Sequence, residues 1–155
     1  MRRTHRDTLV LTGQLVVEVR SARTGRLRRR IVQRNLIVNT GREATRDYWD
    51  STIAPPTPPT HLAVGTDATA AVATQAALVA EVFRSLLTSR VRSAIQIVFK
   101  HFLTTAQANG NTLREWGLFN ASAAGTMFTR AVIGSPIVKT SAITVTSTWT
   151  VTVSA

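Results

Sequence analysis

Between residues 141 and 154 the chain alternates strictly. Ile143, Val145, Ser147, Trp149, Val151 and Val153 fall on one side, and Thr144, Thr146, Thr148, Thr150 and Thr152 on the other. An extended strand separates odd from even positions in this way, because its successive side chains leave opposite faces of the sheet. One face of this strand must meet a core and the other water, so a second layer has to cover the apolar side.

Residues 109–140 give the next constraint. Two apolar runs, Thr112–Phe119 and 127–133, flank a small-residue turn, 120–126, that holds Asn120, Ser122 and Gly125. This pattern predicts a β-hairpin with a longer loop, and Pro136 predicts the end of its second strand. Leu113, Glu115, Gly117 and Phe119 share one face, and Trp116 and Leu118 the other. With large apolar residues on both faces, the hairpin is expected inside a sandwich or at an oligomer interface, with Trp116, Leu118, Phe119 and Phe128 as its contact residues. Glu115 is a carboxylate set among Trp116, Leu118 and Phe119, and a half-buried carboxylate needs a charged or hydrogen-bonding partner. The candidates for a structural ion pair are Arg130 on the return strand and Arg84 upstream.

The remaining chain reads as short strands separated by turns. Residues 9–38 predict a hairpin around the turn Ser21-Ala22-Arg23-Thr24-Gly25. Residues 41–50 predict a short helix, with Thr40 as N-cap and Glu43 three residues on as a capping box. Residues 51–60 contain four prolines and must be extended. Residues 61–64 form a short strand, 65–77 an Ala/Thr-rich loop, and 78–87 fit either a helical turn or a strand. Residues 92–104 predict one long strand, with Ile95, Ile97, Phe99 and His101 on one face. The fold class is all-β: an antiparallel β-sandwich or jelly-roll-like barrel with an N-terminal β-hairpin arm and one short helix. The expected organisation is a basic arm, hairpin and helix over 1–50, a Pro-rich linker over 51–60 and the sandwich over 61–155, one compact domain overall in which the linker lets the N-terminal segment sit apart from the sandwich.

Composition narrows the chemistry. A chain of 155 residues with 44% hydrophobic and 17% charged residues can bury a core without covalent staples. It has no cysteine, so thiol chemistry, disulfide frameworks and cysteine zinc sites are excluded. No apolar run approaches a membrane span, and the charged N-terminus lacks the apolar stretch of a signal peptide. His5, His61 and His101 are scattered without metal-ligand spacing, so no metal is expected. Asp47 and Asp50 sit among Arg42 and Arg46 on the expected helix and read as a solvated face. Glu115 has no second carboxylate near it, and there is no phosphate loop or nucleophile elbow, so no cofactor and no catalytic set is expected.

The net charge is +11 and it is uneven. Residues 1–50 hold twelve Arg against five acids, a net of +7. Arg20, Arg23, Arg26, Arg28, Arg29, Arg30 and Arg34 cluster on the expected N-terminal hairpin, which suggests an acidic partner. Arg forms bidentate pairs with carboxylates, which favours docking to an acidic protein surface. Residues 9–38 contain no aromatic to stack on bases, which ranks nucleic acid last.

Taken in order, several of these residues resemble a recurrent pattern in virion proteins of tailed bacteriophages. The matching positions are Asn109-Gly110, Thr112, Glu115, Gly117-Leu118-Phe119, Gly125, Arg130, Pro136-Ile137 and Lys139-Thr140. Upstream, the run from Asn35 to Gly41, Ala63-Val64-Gly65-Thr66, and Leu78 with Glu81 and Arg84 fit the same pattern. The resemblance covers about residues 35 to 153. It implies a β-rich, non-enzymatic structural module of the kind found in tail fibres, baseplate or collar parts and capsid-surface proteins. Fibres need long repeats or coiled coils, which this chain lacks. The expectation is therefore a capsid decoration (cement) protein that forms a homo-oligomer, a trimer, and docks on the shell. The alternatives are a tail, collar or baseplate component, then a basic nucleic-acid-binding module. The expected partners are the chain itself and the major capsid or tail proteins of the same particle, with no membrane. The expected location is the virion, the capsid surface ahead of the tail.

Overall fold

A computed structural model describes residues 10–50 and 52–154. The alternating C-terminal segment becomes β10 (Ile143–Ser154) and lies in the middle of a five-stranded sheet. Around it stand β1 (Val10–Ser21), β2 (Leu27–Arg34), β6 (Ser89–Ser93) and β7 (Gln96–Leu103), in the order β2-β1-β10-β7-β6. The second sheet takes β3 (Leu36–Ile37), β4 (His61–Gly65), β5 (Glu81–Leu86), β8 (Thr112–Phe119) and β9 (Met127–Val138), in the order β3-β9-β8-β4-β5. Neighbouring strands run antiparallel throughout, and one helix, α1 (Asn39–Asp47), follows β3. The protein is an all-β antiparallel sandwich. Leu15, Val17 and Trp149 of the first sheet meet Leu62, Trp116 and Leu118 of the second, all fully buried.

The basic hairpin β1–β2 does not stand apart on a linker. β1 pairs with β10 along its whole length, from Val10 opposite Ser154 to Ser21 opposite Ile143. This ladder buries Leu15, Val17 and Val19 and makes the hairpin part of the sandwich. The Pro-rich segment is also fixed to the body. Pro58 and Pro59 line an apolar hollow with Tyr48, Phe99 and Val151, and Thr60 N–H donates to Phe119 O at 2.9 Å.

Several strand limits differ from the sequence expectation, each for a local reason. The return strand after the first turn breaks at Asn35, where the chain leaves one sheet for the other: β2 pairs with β1, while Leu36 and Ile37 pair with Arg130 and Thr129. Asn35 folds over Gly13, whose missing side chain leaves the room. Residues 92–104 are two strands, β6 and β7, because Ala94 takes a positive φ of 48° and turns the chain. Ile95 therefore sits in a turn, 60% exposed, rather than on the core face. Residues 81–86 resolve as strand β5. Pro136 does not end β9. The β8–β9 register shifts between Leu113 and Glu115, so residues 133–136 bulge out opposite Arg114, and a bulge does not need the N–H that proline lacks.

The β8–β9 hairpin is covered on both faces within one chain. Trp116 and Leu118 face the first sheet, while Phe119 and Met127 meet Val38, Ala63 and Leu78 on the far side. The N-cap of α1 and the loop between β4 and β5 supply that cover, so the hairpin's apolar faces do not call for a second chain.

The helix spans Asn39–Asp47 and not 41–50. Its N-cap is Val38, and Thr40 is inside the helix, its hydroxyl donating to Met127 O at 2.6 Å instead of capping. Gly41 lies against the backbone of Phe128, where any Cβ would collide with the Phe128 carbonyl and Cα. Helix propensity alone would make Gly41→Ala stabilising by about 1 kcal/mol. The contact with Phe128 reverses the sign: Gly41→Ala should lower stability by about 1–3 kcal/mol in urea denaturation.

Candidate functional site

Two groups of charged residues stand out, one buried and one exposed. The buried group is built on β8 and β9. Register places Gly117 opposite Arg130 and Glu115 opposite Val132, so Arg130 sits diagonally beside Glu115. Arg130 Nε and Nη2 donate to Glu115 Oε2 at 3.0 and 2.7 Å, and both side chains are fully buried. The carboxylate also accepts the N–H of Val79 at 3.1 Å and of Ala80 at 2.7 Å. Arg130 Nη1 donates to Thr69 O and Gln75 Oε1, each at 2.9 Å. Every polar face of the pair is thus used, which is what allows two charges to stay out of water. The pair clamps the loop between β4 and β5 onto the second sheet. Gly65 makes room for it, since a Cβ there would strike the Glu115 carboxylate and Ala80 O.

Arg84, the other candidate partner, does not reach Glu115. It lies on β5, and β4 stands between β5 and β8. Its guanidinium pairs with Glu81 at 2.9 and 2.6 Å, donates to Ala121 O and Ala124 O, and lies 3.6 Å from the centre of the Phe119 ring. It secures the β8–β9 turn, where Ala124 and Gly125 both take positive φ. Lys139 is buried too, its ammonium held by Asn109 Oδ1 at 2.8 Å and Thr140 O at 3.0 Å, and burial lowers its pKa.

His101 is 1% exposed and lies between the sheets. Its Nε2 shares a hydrogen bond of 2.7 Å with Ser85 Oγ, and Nδ1 has no partner among the described residues. Among the described residues no carboxylate orients this Ser–His pair, and the core encloses it. Next to it, Trp116 Nε1 donates to Ser147 Oγ at 3.0 Å, which accounts for the one serine on the apolar face of β10. His61 is half-buried and bonded through Nδ1 to Thr60, and His5 lies outside the described residues. Among the described residues no three His, Asp or Glu side chains gather in a metal-binding group, and no helix is long and apolar enough to cross a membrane.

The exposed group is the basic hairpin. Register places Arg34 opposite Gln14, Val32 opposite Val16 and Arg30 opposite Glu18, on the outer face of the first sheet. The face continues across β10 as the threonines, and across β7 as Lys100 and Phe102. Glu18 is its single strand carboxylate, and it is paired with Arg20 at 2.9 Å. Arg23 and Arg26 lie in the exposed turn, with Arg28 beside them, its Nη2 3.4 Å from Ser21 Oγ. Arg29 differs from its neighbours: it points inward and donates to the carbonyls of Ser135 and Pro136 in the β9 bulge, closing one side of the sandwich. Among the described residues, Arg23, Arg26, Arg28, Arg30 and Arg34 meet no carboxylate.

The chain matches no protein-family model, no curated protein and no solved structure.

Removing the Glu115 carboxylate would leave Arg130 buried and uncompensated. Glu115→Ala should cost about 3–5 kcal/mol in chemical denaturation. The loss should be accompanied by faster hydrogen exchange at Val79 and Ala80. His101 gives a pH dependence. Burial pushes its pKa from 6.5 down to about 4. The unfolded chain takes up this proton near pH 6.5 and the folded chain only near pH 4, so the stability is present above that window and lost as pH falls through it. The loss is about 3 kcal/mol, and a His101→Leu variant should show a flatter stability profile over the same range.

Proposed function

We propose that this chain is a non-enzymatic structural protein of a tailed-phage particle, attached to other proteins of the particle through its basic β1–β2 hairpin. The observation that carries the reading is how the charges are used. Glu115, Arg130, Lys139 and Arg84 hold the fold, and all four belong to the pattern by which the sequence resembles virion proteins. Arg23, Arg26, Arg28, Arg30 and Arg34 of the hairpin are exposed and, among the described residues, meet no carboxylate. Such a surface suits an acidic protein, where Arg pairs with carboxylates in a bidentate fashion. Decoration of the capsid shell, as a trimer, is the first assignment, and a tail, collar or baseplate position the second. Copy number per particle, from gel densitometry, separates many copies on a shell from few in a tail.

Attachment is tested by mixing the protein with undecorated particles. Replacing Arg28, Arg30 and Arg34 with Ser should weaken binding about tenfold or more at low salt, and less at high salt, with little change in stability. Unchanged attachment would move the docking role away from the hairpin. Loss of DNA retention with intact particle binding would favour the nucleic-acid reading.

A further inference from the structure

β2 is the last strand of the first sheet, and among the described residues nothing pairs with its free side. In an antiparallel ladder alternate residues turn their N–H and C=O toward opposite neighbours. Asn35 N–H donates to Gly13 O. Counting back by twos, Gln33, Ile31 and Arg29 turn their backbones toward β1, and Arg34, Val32 and Arg30 turn theirs outward. Three successive outward positions therefore offer a vacant ladder. Val32, at its centre, is 48% exposed.

A hollow of about 560 Å³ opens at the Arg34 end of this edge. Gln33, Arg34 and Asn35 form one wall, and the bulged segment of β9 around Gly134 the other. Ala68, Ala70 and Ala71 line it with small side chains, and Arg114 lines it as well as Arg34. The side chain of Arg34 faces the outer surface of the sheet with Arg30, so a strand laid along β2 would put alternate residues beside these arginines and the intervening ones into the small-residue hollow.

The geometry points to strand addition: an extended acidic segment of another protein pairs with the free edge of β2. Acidic side chains at alternate positions would meet Arg30 and Arg34, and small residues between them would enter the hollow. This rests on the docking role of the hairpin and specifies how it docks. Charge decides the occupant. Edge arginines repel an identical edge, so two β2 strands would oppose each other across a row of like charges. No described strand of this chain holds more than one acid, since Glu18, Glu81 and Glu115 lie on three different strands. No described strand of a second copy therefore supplies the complement. A nucleic acid would meet the arginines but would leave the vacant N–H and C=O groups unused.

The probe is a labelled eight-residue peptide alternating glutamate and alanine, titrated by fluorescence anisotropy into the full chain at low salt. Saturable binding is expected. Val32→Pro removes the outward N–H without touching the ladder to β1, a place where an edge strand tolerates proline. It should weaken the peptide about tenfold or more, with an unchanged circular-dichroism spectrum. The same peptide N-methylated at alternate residues keeps its charge and loses its ladder, and it should bind the unaltered protein as weakly; this arm does not depend on any variant folding. Equal binding of the methylated peptide, or no effect of Val32→Pro, would overturn strand addition. If the triple arginine variant still lost particle attachment, docking by the charged face would stand without it. No binding of either peptide overturns the inference. Displacement by single-stranded DNA that is insensitive to Val32→Pro overturns it in favour of a nucleic-acid surface.

Discussion

The fully buried Glu115 carboxylate is held by four donors: two from Arg130 and the backbone N–H groups of Val79 and Ala80. A carboxylate in that position is tolerable only while all of them stay in place. The far face of the β8–β9 hairpin, the path of the loop between β4 and β5, and the absence of a side chain at Gly65 all depend on this arrangement. Such a pair adds less to stability than its short distances suggest, because desolvation offsets most of the attraction. Its effect is to fix one course for a loop that has no regular structure of its own.

The first sheet is fixed differently. Its order comes from β10, which is apolar on one face and threonine on the other and pairs with both β1 and β7. Around it, charge is divided by alternation. Residues of β2 that face inward support the body, as Arg29 does by bonding to the β9 bulge. Residues that face outward, Arg30 and Arg34, stay in solvent. The basic surface is thus a consequence of register and not a flexible appendage.

The strands with a clear period of two were legible in the sequence. β10 alternates apolar and polar residues, and its faces follow from counting. In β8 counting separates Trp116 and Leu118 from Phe119, but it puts Leu113 on the Glu115 face, whereas the register shift between Leu113 and Glu115 turns Leu113 into the core with Trp116. What could not be read has identifiable causes. The loop between β4 and β5 binds Glu115 and Arg130 largely through backbone amides and the carbonyl of Thr69, groups that every residue offers, so composition leaves no trace of the role. The choice between Arg130 and Arg84 depends on strand order, and sequence distance does not reveal that β4 lies between β5 and β8. The break at Asn35 was hidden because an apolar pair, Leu36-Ile37, fits either sheet equally well. The inward turn of Arg29 was available from alternation with Arg28 and Arg30, but a run of three arginines masks its own periodicity. Pro136 misled because a bulge, which removes the need for an N–H, has no sequence sign of its own.

The position of β10 also has a consequence for how the fold is reached. It follows every other described strand in chain order and lies between β1 and β7, with Val10 opposite Ser154 at one end of the ladder. During synthesis the two hairpins β1–β2 and β6–β7 can form early, since each joins neighbouring segments. They cannot become one sheet until β10 has been made and inserted between them. Until then the core-facing residues of β1 and β7 lack their central neighbour, and the closing step joins the most distant parts of the described chain. Such long-range pairing makes folding slow relative to chain length, and it places assembly of the first sheet after translation of β10 rather than during it.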